Sequence, residues 1–81
     1  MQGVYLSEAV IGDWVAGATS NVYERADVAE VISALQRACG GRVTLHDIEL
    51  RFREVMDDET VHFTKYTARY LLEHLPEELL V

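Results

Sequence analysis

Cysteine and proline occur once each in this 81-residue chain, as Cys39 and Pro76, and basic side chains are scarce: seven Lys and Arg stand against fourteen Asp and Glu, for a formal charge of -7. A lone cysteine excludes an internal disulfide, so the fold does not depend on an oxidising compartment. Apolar runs extend only a few residues, far short of the roughly 20 that a membrane-spanning helix needs. No basic segment followed by an apolar one opens the chain, as it would in a secretory leader. A soluble, cytoplasmic protein is expected. The scarcity of Lys and Arg also works against loose nucleic-acid binding, because that binding is driven by neutralising phosphates.

The patterns that announce chemistry are missing too. His46, His62 and His74 lack the four-residue spacing of a metal pair, and Cys39 has no second thiol near it. Cys39 falls near a helix C-terminus, where the dipole disfavours thiolate, and reads as a small core residue rather than a nucleophile. "CGG" is not followed by the Lys and Thr of a phosphate-cradling loop. Asp57, Asp58 and Glu59 lack the alternating oxygen ligands and central Gly of a calcium loop. No metal, no cofactor and no enzyme activity are expected.

What is present is an ordinary globular balance, 49% hydrophobic and 26% charged, rather than the apolar-poor composition of disorder. One domain over residues 1–81 is expected, near the lower size at which a single core holds without staples. Residues 4–6 suit a short strand, and Ser7 can cap a first helix in which Val10, Ile11, Trp14, Val15 and Ala18 recur at helical spacing. Gly12 and Gly17 each cost that helix about 1 kcal/mol relative to Ala, so packing must hold it.

"NVYERADVAEVISALQRACGG" carries the strongest helical pattern. Asn21 with Glu24, or Asp27 with Glu30, makes a capping box, and Val28, Val31, Ile32, Leu35, Ala38 and Cys39 form the apolar stripe. Gly40 and Gly41 stop it. "RVT" suits a short strand, after which Thr44 and Asp47 start a third helix that buries Leu45, Ile48, Phe52, Val55 and Met56. A polar connection, "DDETVHF", leads to Thr64 as the cap of a fourth helix. Ala68, Leu71, Leu72 and Leu75 should face inward there, and Lys65, Thr67, Arg69 and Glu73 outward. Pro76 ends the helix, and "ELLV" suits a final strand.

From residue 28 onward the order of helix, double glycine, short strand, helix, polar turn, helix and apolar tail resembles the helix-turn-helix core of winged-helix DNA-binding domains. "VISALQRACGG" corresponds to the first core helix, "LHDIELRF" to the supporting helix and "TKYTARYLLEHL" to the recognition helix. The resemblance implies a mainly α fold: a small three- to four-helix domain, winged-helix-like, with short β-strands and a truncated wing. Residues 1–20 would add an N-terminal strand and helix to a helix-turn-helix-like core over residues 21–81. Two departures stand out. The connection before the fourth helix is longer and more acidic than a tight helix-turn-helix allows. The chain also stops at Val81, so "ELLV" supplies at most one wing strand, paired with "RVT".

The resemblance implies a small dimeric transcriptional regulator that reads double-stranded DNA. Thr64, Lys65, Tyr66, Thr67 and Arg69 would lie on the major-groove face, and Arg51 and Arg53 near phosphates. Surplus apolar surface on the first helix, at Val10, Ile11, Trp14 and Val15, either simply covers the core or offers a homodimer contact. Net charge favours a different reading, an acidic adaptor or small inhibitor that binds a protein partner. Glu8, Asp13, Glu24, Asp27 and Glu30, or Asp57, Asp58 and Glu59, would form its contact surface.

Overall fold

The computed structural model describes residues 3–56 and 65–80. Four helices follow one another, α1 (Glu8–Ala18), α2 (Val22–Ala38), α3 (Leu45–Met56) and α4 (Lys65–Glu73), and a short 3-10 turn spans Glu77–Leu79. Among the described residues no helix is long and apolar enough to cross a membrane.

Local chemistry accounts for most of the helix ends. The Ser7 hydroxyl accepts from the Val10 amide, and the Asn21 side chain accepts from the amides of Tyr23 and Glu24, so donors that α1 and α2 cannot satisfy internally are taken up. Thr44 and Asp47 exchange bonds reciprocally: the Asp47 amide donates to Thr44 Oγ1 at 3.1 Å and the Thr44 amide to Asp47 Oδ2 at 2.9 Å. At the far end of α2, Gly40 and Gly41 adopt φ of 77° and 100°. Their amides donate to the carbonyls of Arg37 and Gln36, a paired closure that needs the left-handed region open to glycine. Arg25 closes α1 from outside, its Nε donating to Thr19 O at 2.6 Å and its Nη2 to Ala16 O at 3.3 Å. A cation there also meets the negative end of the helix dipole.

The buried face of α2 recurs every four residues, at Glu24, Val28, Ile32 and Gln36. Its middle is apolar and fully enclosed, whereas each end is polar and bonded across the core. Gln36 Oε1 accepts from the Leu6 amide at 2.8 Å, and Gln36 Nε2 donates to the Leu6 carbonyl at 2.9 Å. The primary amide thus replaces a neighbouring strand for one residue. Glu24 Oε1 accepts from Thr67 Oγ1 of α4 at 2.9 Å. Around this spine lie Leu6, Ile11, Trp14 and Val15 from the N-terminal part and Ile48, Phe52, Val55, Ala68 and Leu71 from α3 and α4. Trp14 Nε1 donates to the Leu71 carbonyl at 3.0 Å, engaging one of the last four carbonyls of α4.

The expected strands and wing do not occur among the described residues. Among the described residues there is no strand; residues 4–6 and "RVT" reduce to an isolated antiparallel bridge between Val4 and Val43. The two residues exchange both backbone bonds, at 2.8 and 2.9 Å, and the approach is close enough that a Cβ on Gly3 would stand 2.9 Å from the Cβ of Arg42. Pairing stops there because Gln36 occupies the backbone groups of Leu6. After Pro76 the chain forms a 3-10 turn over Glu77–Leu79, so among the described residues the expected final strand does not pair with "RVT", whose Val43 is already engaged by Val4; Val81 lies outside the described residues. The winged-helix-like expectation, with its short β-strands and truncated wing, is therefore replaced by a small four-helix globule.

Two side-chain expectations also change. Cys39 is exposed, not part of the core, because the helix ends at Ala38 and the glycine turn carries position 39 outward. Thr67 is buried, not outward, held by its bond to Glu24. Of the four apolar residues on the first helix, Ile11, Trp14 and Val15 are buried in the chain's own core and Val10 packs against it partly buried.

Two stability measurements follow. Gln36→Leu leaves the Leu6 amide and carbonyl buried without partners and should cost about 2–4 kcal/mol at roughly 1–3 per group, discounted for relaxation. Urea unfolding reads that loss as a lowered midpoint. Thr67→Val should cost about 1–2 kcal/mol, as loss of a buried hydrogen bond does. An outward Thr67 would tolerate the change within about 0.5 kcal/mol, so an unchanged urea midpoint would contradict the buried placement.

Candidate functional site

α3 and α4 lie side by side with a groove of about 330 Å³ between them. Phe52, Met56, Ala68 and Leu72 form its apolar lining. Their positions explain the shape: each helix contributes a pair four residues apart, which places both members on one side. Ala68 is 4% exposed and Phe52 2%, so both belong to the core as well as to the groove. Ala68, with only a methyl side chain, fills less of the space between the helices than a longer side chain would.

The rim is charged. Arg53 from α3 and Lys65 and Arg69 from α4 supply three cations, and Glu49 and Glu73 supply two carboxylates. Arg53, Lys65 and Arg69 are all exposed, and among the described residues no hydrogen bond or ion pair engages their side chains. The other four basic residues are each committed. Arg25 closes α1, Arg37 meets Glu30 at 3.1 Å, Arg42 donates to the Gly3 carbonyl at 3.4 Å, and Arg51 lies 3.7 Å from Glu54 on its own helix. Among the described residues, every basic side chain without such a partner therefore borders the same groove.

The structure separates the residues that the DNA reading grouped together. Lys65 and Arg69 remain on one side of α4 and are joined by Arg53. Arg51 points elsewhere and pairs with Glu54. Thr67 turns into the core. Tyr66 is 80% exposed and stands outside the groove lining, while Tyr70 stacks on His74 with ring centroids 3.9 Å apart. Thr64 lies outside the described residues, as do His62, Asp57, Asp58 and Glu59. The acidic surface expected along α1 and α2 is also divided, because Glu24 is buried against Thr67 and Glu30 bridges to Arg37.

Residue type alone found the cations of this site but not its apolar lining. Periodicity alone assigns Met56 and Leu72 to the core, although both are only partly buried. The usable signal was the register: Phe52 with Met56 and Ala68 with Leu72 each sit one residue or one turn from a cation, so two amphipathic helices carry matching borders. Compared with protein-family models, characterised proteins and solved structures, the chain matches none, and its functional reading rests on this groove.

Proposed function

We propose that the chain is a protein-interaction module whose contact surface is the groove between α3 and α4. The observation that carries this reading is the combination of an apolar lining, at Phe52, Met56, Ala68 and Leu72, with a charged rim on both helices. A concave apolar strip supplies burial for an anchoring side chain, and rim charges set register and partner choice. The volume, about 330 Å³, suits one or two large side chains rather than an extended ligand.

Duplex DNA is the competing occupant, and two features weigh against it. Thr67, central to the expected reading face, is spent on Glu24. Phosphates approaching Arg53, Lys65 and Arg69 would also meet the rim carboxylates of Glu49 and Glu73 in a chain of formal charge -7. Such a surface gives up much of the phosphate neutralisation on which DNA affinity depends.

The test is selection of peptides from a displayed random library with the folded chain as bait, followed by titration of labelled protein by amide-resolved NMR. Shifts should centre on the α3 and α4 residues that border the groove. Affinities should be micromolar and fall about tenfold in Leu72→Gln, with the circular dichroism spectrum retained. Selected peptides that map elsewhere, or a failure to select any, would remove the reading. Duplex binding with a steep salt dependence that disappears in Lys65→Ala/Arg69→Ala would put DNA in its place.

A further inference from the structure

We infer that the occupant of the α3–α4 groove is an acidic amphipathic helix of a partner protein, an inference that rests on the protein-interaction reading and specifies its chemistry. The distribution of charge is the first support. Of seven basic residues, four are held by partners within the fold, and the three that are not, Arg53, Lys65 and Arg69, border one groove. Intramolecular pairing would have been easy to obtain, since acidic residues outnumber basic ones two to one. The three cations instead lie where an incoming carboxylate can reach them while its helix covers Met56 and Leu72.

Backbone geometry is the second support. A partner strand needs a sheet edge with a row of free amides and carbonyls. The described residues provide only the bridge between Val4 and Val43, whose bonding groups are already exchanged. The groove is walled instead by two helices, and its lining runs from Glu49 to Met56 on one and from Lys65 to Glu73 on the other. At about 1.5 Å per residue these stretches span roughly 10–12 Å, two turns of a docked helix. Of the side chains at i, i+3, i+4 and i+7 of that helix, one or two would enter the groove and the others would cover Met56 and Leu72 at its edge, as in helix-in-groove recognition. Glutamates flanking this stripe would face Arg53 on one wall and Lys65 and Arg69 on the other.

The rim carboxylates refine the match. Glu49 lies one turn before Arg53, and Glu73 one turn after Arg69, so each wall changes sign along its length. An acidic helix is therefore favoured only in registers that keep its carboxylates near the cations, which gives the groove selectivity among acidic partners.

Three probes test this against the full-length chain by amide-resolved NMR and fluorescence anisotropy. One is a helical peptide of about 14 residues with Leu at i, i+3, i+4 and i+7 and Glu flanking that stripe; the second replaces each Glu by Lys; the third is duplex DNA. The expected result is that the acidic peptide shifts groove resonances and binds at least about tenfold more tightly than its Lys counterpart. The preference should weaken with added salt and reverse in Arg53→Glu/Arg69→Glu. Both positions are exposed, and Arg69→Gln alone, which should weaken the acidic peptide without reversing the preference, supplies a milder check. If the Lys peptide binds the groove as well or better, the acidic assignment falls and the protein-interaction reading stands. If neither peptide shifts groove resonances, both fall, and duplex binding lost in the double variant would assign the surface to nucleic acid.

Discussion

The side-chain amide of Gln36 does for Leu6 what a neighbouring strand would do, accepting from its amide and donating to its carbonyl at 2.8 and 2.9 Å. Leu6 is 1% exposed, and in an environment without water both backbone groups must be satisfied. One glutamine at the end of an α2 stripe fixes the path of the N-terminal segment and hence the position at which α1 begins. α1 in turn reaches α4, because Trp14 both fills the core and bonds the Leu71 carbonyl. The other polar end of the same stripe, Glu24, holds α4 through Thr67. Both attachments of α4 thus trace back to positions on α2 or to the segment that α2 secures.

This dependence determines which side of α4 remains available. Thr67 and Leu71 are four residues apart and point into the core, so Lys65 and Arg69, two residues to either side of Thr67, are carried to the opposite side by the 3.6-residue period. Ala68 and Leu72 lie between those two sides and line the groove beside α3. Charge on the remaining surface follows a similar division. Arg25 and Arg42 serve backbone carbonyls, and Arg37 and Arg51 meet nearby glutamates. Away from the groove, each of these cations is engaged within the fold, by a backbone carbonyl or by a nearby glutamate.

The sequence was most legible where structure is decided within a few residues. Ser7, Asn21 and Thr44 begin helices as their side-chain chemistry suggests, and Gly40 with Gly41 ends one. It was least legible where a polar side chain crosses the core. Gln36 to Leu6, Thr67 to Glu24 and Trp14 to Leu71 join residues 30, 43 and 57 positions apart, and no local rule pairs them. The strand expectation failed for this reason, since a side chain took the place of the ladder. Thr67 was misplaced because a hydroxyl beside Lys and Arg looks solvent-facing, although its four-residue spacing from Leu71 assigns it to the buried side. Arg53, Lys65 and Arg69 were recognisable as candidate contacts by type. Their separation from Arg51, and their convergence on an apolar strip, required the helices to be placed.

The groove can persist in so small a domain because α4 is not free to close it. Apolar walls separated by a space of about 330 Å³ would gain burial by moving together, and the short side chain of Ala68 offers little to keep them apart. Movement of α4 toward α3, however, would strain the Thr67 bond to Glu24 and the Trp14 bond to the Leu71 carbonyl. Each of these is buried, and breaking it leaves polar groups exposed to an apolar interior at about 1–3 kcal/mol per group. Collapse would also press Arg53 toward Lys65 and Arg69, bringing like charges together as water is expelled. Buried polar bonds on one side of α4 and unpaired cations on the other therefore act in the same direction. Both favour a partner-sized opening over a fourth helix packed flush against its neighbour.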